Sequence, residues 1–315
     1  MNPALSVIFF TTLSGAGYGL LMWTAVAALF NQPSKPLLVS SLLALALITI
    51  GLLSSLAHLG QPQRAWRALS QWRTSWLSRE GVASLATYLP ALMLGVLLFF
   101  DWIDPTSFGL STPPPPLVLV ICVWLIVSAL ATVACTAMIY ASLKPVPAWR
   151  HWLVLPVYLL FALSCGGLLL LAMLSWHGMA MGNLTALCAV TGVMVLALCK
   201  LRYWSDIDAT PLPATRGDAV GLPARTVTVF ERPHTQANYL TREMAFVLAR
   251  QHSQRLRWLS MVLFALVPML CLLLAWMYEA SAGWLGVAAL SALAGAFVER
   301  WLFFAEARHL VTLYY

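Results

Sequence analysis

Charged residues are scarce in this 315-residue chain, since Asp, Glu, Lys and Arg make up only 9% of it. A soluble domain has about 25% charged residues. Hydrophobic residues account for 61%, and the mean hydropathy is +0.83. A single aqueous core cannot bury so much apolar surface, which excludes an ordinary soluble domain. We therefore expect membrane lipid as the main solvent of the chain and no nucleic acid as a partner.

The sequence also lacks the patterns of metal and haem centres. None of its six cysteines belongs to a C-x-x-C pair, so we expect neither an iron–sulfur nor a zinc framework, and no metal ligands. A haem held by two histidines needs facing histidines within the helices. Only His58 and His151 share one membrane edge, and His151 lies in a proline-flanked loop. We therefore predict no haem.

The sequence consists largely of long apolar runs. Eight runs approach or exceed the length of about 20 residues that a spanning helix needs, and their continuous apolar character favours helices over alternating strands. The predicted fold class is all-α and integral to the membrane: eight transmembrane helices, grouped as two four-helix bundles in one anchor domain (1–315). The predicted spans are 4–30, 37–58, 82–100, 117–140, 152–175, 183–199, 258–278 and 284–304.

Basic residues are distributed unevenly about these spans. Of the 18 lysines and arginines, all but Lys35 fall on the N-terminal side. Because basic loops stay in the cytoplasm, we predict both termini there and a location in the cell inner membrane. A face rich in basic residues would also serve to dock an acidic partner. Retention in the cytoplasm and partner docking explain the basic residues equally well.

The connection 59–81 carries four arginines and a helical spacing of Trp66, Leu69, Trp72 and Trp76. This spacing predicts a helix in the membrane interface, with arginines toward water or a partner. An aromatic belt is the alternative for the tryptophans. We assign partner docking to Arg67, Arg73 and Arg79.

His58 ends the second predicted span, and Glu80 begins the third, just after Ser78 as the predicted N-cap. Helices joined by such a loop are neighbours, so both side chains are expected at one membrane depth. A histidine and a carboxylate there supply the hydrogen bonds and proton exchange that a quinone requires. A structural hydrogen bond between them is the competing interpretation.

Two other spans contain candidate residues. Gly15 and Gly19 form a G-x-x-x-G in the first span, which indicates either close helix packing or space for a flat ring. Glu299 and Arg300 lie near the end of the last span. Ionisable residues inside a membrane mark a pathway or a pair, and we interpret these two as a structural ion pair. The segment 200–257 is predicted to be a cytoplasmic arm with a helix that includes Leu240 and Met244.

The run HLGQPQRAW (58–66), followed by LSREG (77–81) and by E-R-x-x-F-F in the last span, resembles the dimethyl sulfoxide reductase anchor subunit family. This family belongs with the polysulfide-reductase-type quinone-interacting membrane subunits. The resemblance covers the whole chain. The segments RPHTQANYLTREM and EARHLVTLYY are most similar to the membrane subunit of cytoplasm-facing sulfite-oxidising complexes.

The resemblance implies a complex of three subunits. A molybdenum catalytic subunit would carry the molybdenum cofactor, an iron–sulfur electron-transfer subunit would carry the clusters, and this chain would perform no substrate chemistry itself. It would exchange electrons with menaquinone or ubiquinone, on the cytoplasmic side of the membrane. By residue match, His58 and Glu80 take the quinone-site positions, and Arg64 takes that of the motif's arginine. The predicted quinone-binding set is His58, Glu80, Arg64, Gly15, Gly19 and Trp76.

The function that follows is the passage of electrons from sulfite oxidation to quinone. The anchor of a quinol-dependent sulfoxide reductase is the alternative. A transporter is a second alternative, although no span has the midplane charges or broken helices typical of a transport site.

Overall fold

The computed structural model describes residues 4–57, 60–105, 114–223, 225–231, 252–278 and 281–314. His58 and the predicted helix of the arm, with Leu240 and Met244, lie outside these residues. Eight helices within the described residues are long and apolar enough to cross a membrane, which confirms the predicted number of spans. They are α1 (Leu5–Leu29), α2 (Ser34–Leu56), α3 (Trp76–Ile103), α4 (Pro116–Ala141), α5 (Val154–Trp176), α6 (Asn183–Ala209), α7 (Ser253–Met277) and α8 (Ser281–Ala305).

Shorter elements occupy the connections. The 3₁₀-helices are Pro62–Gln71 and Leu310–Tyr314, and Arg216–Ala219 forms a single α-helical turn. No β-strand occurs in the described parts of the chain. The fold class is therefore all-α, while the grouping into two bundles and the cytoplasmic position of the termini stay predictions.

Three helices extend well beyond their predicted ends: α7 begins at Ser253 rather than 258, and the other two are α3 and α6. α3 begins at Trp76 rather than 82, because Ser75, not Ser78, is its N-cap: the Ser75 hydroxyl accepts from the Ser78 N–H at 3.4 Å. α6 continues to Ala209 rather than 199, so the first ten residues of the predicted arm are helical. A span predicted from hydropathy ends where charged residues begin. The helix itself can continue, because lysine and arginine are good helix formers.

α7 changes geometry around its proline. Pro268 has no N–H to donate within the helix, and the preceding residues Val262–Leu266 form a π-helical turn. The Ser291 hydroxyl of α8 donates to the carbonyl of Leu263 at 2.7 Å, and the bare face of Gly295 lies against Phe264. Helix α8 therefore packs on the irregular part of α7 and satisfies one of its carbonyls.

α1 is the most buried of the eight helices and packs against α2, α4, α5 and α8. Its contact with α5 depends on two glycines. A Cβ at Gly19 would overlap the Ala162 carbonyl, and a Cβ at Gly166 would overlap the Gly19 carbonyl. Glycine therefore lets the two backbones touch, as small residues do in membrane bundles.

Side-chain contacts identify which helix ends lie together. Ser54, near the end of α2, donates to the Ser6 carbonyl at the start of α1, and Arg257 at the start of α7 bonds Asp208 at the end of α6. This end of the molecule contains the starts of α1, α3, α5 and α7 and the ends of the other four helices. We call it the polar end. Glu80, Gly15, Glu299 and Arg300 lie within about three turns of it, whereas Gly19 lies past the middle of α1.

Candidate functional site

Glu80 lies in the second turn of α3 and is buried, with 4% of its surface exposed. The Thr136 hydroxyl of α4 donates a hydrogen bond to Glu80 Oε1. One turn further along α3, Ser84 shares a hydrogen bond of 2.5 Å with the Tyr18 hydroxyl of α1. The start of α3 therefore places a carboxyl group among hydroxyl groups from two neighbouring helices.

A small cavity lies next to Thr136, the hydrogen-bond partner of this carboxyl group. It has a volume of about 20 Å³, which is room for about one water molecule. Its lining is contributed by α1, α4, α5 and α8 and includes Thr12, Gly15, Thr136, Tyr158 and Arg300. Three buried polar atoms of this lining have no hydrogen-bond partner among the described residues: Thr12 Oγ1, the Tyr158 hydroxyl and Arg300 Nη1.

Three charged side chains continue from the cavity into α6 and α8. Lys200 Nζ lies 2.6 Å from Glu299 Oε1, and Arg300 Nη1 lies 3.2 Å from Glu299 Oε2, an ion-pair distance without the geometry of a hydrogen bond. The guanidinium carbon of Arg300 also lies 3.6 Å from the centre of the Tyr158 ring. The exposed fractions of Lys200, Glu299 and Arg300 are 1%, 0% and 3%. The ion pair expected between Glu299 and Arg300 is thus part of a larger cluster.

A wider cleft opens at the polar end on the other side of this cluster. Its volume is about 370 Å³, and its lining includes His151, Asp206, Asp208, Arg257 and Glu306. Arg257 bridges Asp208 at 2.6 Å and Glu306 at 2.9 Å. Burial raises the pKa of Glu306, and Arg257 partly opposes this. Burial also lowers the pKa of His151, although Asp206 at 3.3 Å works in the opposite direction.

The connection before α3 forms a helix of the 3₁₀ type over Pro62–Gln71. Trp66 and Trp72 are exposed, and Leu69 covers Gly81, where a Cβ would lie 2.7 Å from Leu69 Cδ2. Arg64, Arg67 and Arg73 are exposed and so remain accessible within this chain.

Arg79 differs from the other arginines of this connection. Its Nε donates to the Trp72 carbonyl at 2.9 Å, its Nη2 donates to the Arg73 carbonyl at 2.6 Å, and its guanidinium lies 4.3 Å from the centre of the Trp76 ring. Arg79 therefore holds the connection onto α3. The sequence prediction for Arg79, partner docking, did not include this structural role.

The described members of the predicted quinone set occupy different places. Gly15 lines the cavity, Glu80 is linked to it through its hydrogen bond with Thr136, and Trp76 begins α3. Arg64 lies on the connection, and His58 is outside the described residues. The side of Gly19 where a Cβ would lie is filled by the α5 backbone, which favours the helix-packing interpretation of the G-x-x-x-G at this position. The cavity itself holds about one water molecule and is too small for a quinone ring.

Thr136, Tyr158 and Lys200 are the residues that sequence reasoning missed. Thr136 and Tyr158 lie in continuous apolar runs, where a single hydroxyl gives no signal. Lys200 falls within the predicted arm because hydropathy decreases there. Its spacing of four residues from Trp204 could have indicated a helix face that continues beyond 199.

Comparison with known proteins identifies the family of the chain. Residues 1–305 match the sequence family described as "DMSO reductase anchor subunit (DmsC)". The chain is also 33% identical over 322 residues to a sulfite dehydrogenase subunit of Allochromatium vinosum, a match that covers 100% of this chain and 99% of the relative. The chain belongs to the DMSO reductase anchor subunit family. No solved structure matches it.

Membership of the DMSO reductase anchor subunit family makes this chain a multi-pass membrane subunit of a multi-subunit oxidoreductase complex. The match spans all eight helices, from α1 to the end of α8, and so includes Glu80, the cavity and the charged cluster. In the described ranges, no group of three or more His, Cys, Asp or Glu side chains could hold a metal ion.

Proposed function

We propose that this anchor subunit exchanges electrons with membrane quinone at the polar end, close to Glu80. One observation carries the proposal: a buried carboxyl group stands at the start of α3, hydrogen-bonded by Thr136 and next to the connection that holds the exposed arginines. A carboxyl group positioned in this way can exchange protons with a bound substrate.

The size of the cavity determines where the quinone ring would bind. A cavity of about 20 Å³ admits water but no ring. The quinone would therefore approach Glu80 from the side of the connection 60–75, with Trp76 and Arg64 near it. In this position Glu80 would exchange a proton with the quinone oxygen, and Thr136 would orient the carboxyl group. His58, at the other end of the same connection, would provide the second hydrogen bond.

We further propose that the electrons come from sulfite. The relative of this chain is named as a subunit of a sulfite dehydrogenase and covers the chain completely. Oxidation of sulfite with water gives sulfate, two electrons and two protons, and quinone takes up two of each on reduction to quinol. A molybdenum subunit would oxidise sulfite, and an iron–sulfur subunit docked at the exposed arginines Arg64, Arg67 and Arg73 would pass the electrons to the quinone. These partners and the quinone would meet the chain on the cytoplasmic side.

The test is the purified complex with Glu80→Gln in the anchor subunit. We expect quinone reduction to fall by about 100-fold, because loss of general acid–base catalysis costs roughly 10²–10⁴. Sulfite oxidation with a soluble dye should remain unchanged, since it does not pass through the anchor. Ser84→Ala, one turn along α3, is the matched control and should retain quinone turnover. Survival of quinone turnover in Glu80→Gln together with His58→Ala would place the site elsewhere.

A sulfoxide reductase anchor is the second candidate, because the family is described by dimethyl sulfoxide reductase. Glu80 would then take protons from quinol rather than deliver them. Rapid quinol oxidation by a sulfoxide, with no reduction of quinone by sulfite, would select this candidate over sulfite oxidation.

A further inference from the structure

A series of polar groups extends from the surface of the polar end toward Glu80, with two interruptions. On the surface side, the cleft contains Glu306, bound by Arg257. Beneath it, Lys200 lies 4.7 Å from the centre of the Trp204 ring, and Arg257 lies 5.5 Å from the same ring. The side chain of Trp204 therefore lies between the surface cluster and the buried one.

The inner half of this series runs through the cavity. Glu299 pairs with both Lys200 and Arg300, and the ring of Tyr158 stacks on Arg300. Tyr158 and Arg300 then form one wall of the cavity, while Thr136, which donates to Glu80, forms another. The series has two gaps, one at Trp204 and one at the cavity.

A water molecule would close the inner gap. The cavity has the volume for one, and three buried polar atoms in its lining have no hydrogen-bond partner among the described residues. Buried water typically makes two to four hydrogen bonds to such groups. Thr12 and Tyr158 each supply a hydroxyl that can donate or accept, and Arg300 supplies a charged donor, which is a complete set for one water.

We propose that Lys200, Glu299, Tyr158 and a water molecule in this cavity form the proton route between the cleft at the polar end and Glu80. This inference rests on the proposed quinone site and adds the path by which it exchanges protons. Each quinone reduced takes up two electrons, from the partner subunits, and two protons, from water in the cleft. No other reactant is needed.

The residues of the route have different roles. Glu306 collects a proton at the cleft, and water that enters beside Trp204 carries it to Lys200. The Lys200–Glu299 pair then passes it inward by exchange of one proton between amine and carboxylate. Arg300 keeps its proton and holds the Tyr158 ring and the water in place. The Tyr158 hydroxyl and the water then carry the proton to Thr136 and Glu80. Charged groups buried in membrane helices are costly and usually functional, and a purely structural role would not require unpartnered atoms around a cavity.

Tyr158→Phe separates this role from a structural one. The change keeps the ring that stacks on Arg300 and removes only a hydroxyl that has no partner among the described residues. A structural role predicts no loss, because deletion of an unsatisfied buried hydroxyl does not destabilise the fold. The proton route predicts at least a fivefold lower kcat for quinone reduction, with the KM for quinone and the dye-linked rate unchanged.

Glu299→Gln and Glu299→Asp in the complete complex provide the second measurement. We expect the glutamine variant to show the same fall in kcat, and the aspartate variant, which keeps the carboxyl group, to recover most of it. Ser291→Ala on the same helix is the control and should equal the wild type. If Glu299→Gln fails to assemble, Tyr158→Phe alone decides. Less than a fivefold fall in Tyr158→Phe overturns the route.

The wild type and Glu80→Gln complexes distinguish failure of the route from failure of the proposed function. Quinone reduction by the wild type that depends on Glu80 upholds the quinone site, whatever the Tyr158 result. Absence of quinone reduction in the wild type refutes both. A high-resolution structure of the complex adds a direct check: density for water between Thr12, Tyr158 and Arg300 supports the route, and a dry cavity contradicts it.

Discussion

At the scale of single residues, the two glycines of the α1 motif have opposite environments. A Cβ at Gly19 would overlap the α5 backbone, whereas a Cβ at Gly15 meets no heavy atom within 4 Å. We expect Gly19→Ala to destabilise the subunit by about 1–3 kcal/mol or more, as overpacking does, and Gly15→Ala to be tolerated. Thermal unfolding and the yield of assembled complex measure the difference. Equal stability of the two variants would contradict the helix contact described above.

His151 provides a pH prediction at the same scale. Burial holds its pKa below the ordinary value of 6.5, so the folded state favours the neutral ring. As pH falls through 6.5, the unfolded chain takes up a proton before the folded chain does, and stability decreases. We expect His151→Gln to show a weaker loss of melting temperature between pH 7 and pH 5 than the wild type. A steeper loss in the variant would contradict the direction of the shift.

Single residues also show how far the sequence could predict the site. The position of Glu80 near the start of the third span could be predicted, because the apolar run that follows it marks the helix. The partners of Glu80 and Glu299 could not, because Thr136 and Lys200 come from helices 56 and 99 residues away in sequence. Contacts between distant segments depend on helix rotation and packing, which hydropathy does not determine.

At the scale of elements, Arg79 stabilises the connection before α3. It binds the carbonyls of Trp72 and Arg73, while the guanidinium of Arg67 contacts only the neighbouring Trp66 ring among the described contacts. We expect Arg79→Gln to accelerate amide hydrogen exchange across 62–75 by about fivefold, which corresponds to about 1 kcal/mol, an ordinary hydrogen-bond contribution. Arg67→Gln is the control. Equal exchange in the two variants would show that Arg79 does not hold the connection.

The number of helices follows from composition, whereas the positions of their ends do not. The number of spans follows from hydropathy, because each run must cross about 30 Å of hydrocarbon. The ends do not follow from it, since α3 and α6 continue past the apolar runs with charged residues on them. These extensions contain Glu80, at the proposed quinone site, and Lys200, on the proposed proton route.

At the scale of the whole molecule, the charge distribution predicts the orientation. All but one of the 18 basic residues lie on the N-terminal side of the spans, and basic loops remain in the cytoplasm. Reporter fusions at Tyr315 and within 205–235 should therefore show cytoplasmic activity. A fusion within 106–113 is the matched control and should be periplasmic. Periplasmic activity at either of the first two sites would refute this orientation.

Orientation and site position together determine whether turnover moves charge across the membrane. Glu80, the cavity, the charged cluster and the cleft all lie near the polar end of the helices. Electrons from a partner docked at the arginines of the connection and protons from the cleft would thus reach the quinone from one side. No charge needs to cross the hydrocarbon region, in contrast to enzymes that take electrons and protons from opposite sides.

Sealed vesicles containing the complete complex and quinone provide the measurement. Sulfite should drive quinone reduction without a membrane potential, as followed with a voltage-sensitive dye. A potassium diffusion potential imposed with an ionophore is the control that shows the vesicles to be sealed and the dye to respond. Tyr158→Phe should slow quinone reduction in these vesicles and still produce no potential, because the proton route begins and ends on one side. A potential linked to turnover of the wild type would mean that protons or electrons cross the membrane, and would contradict the placement of both sources at the polar end.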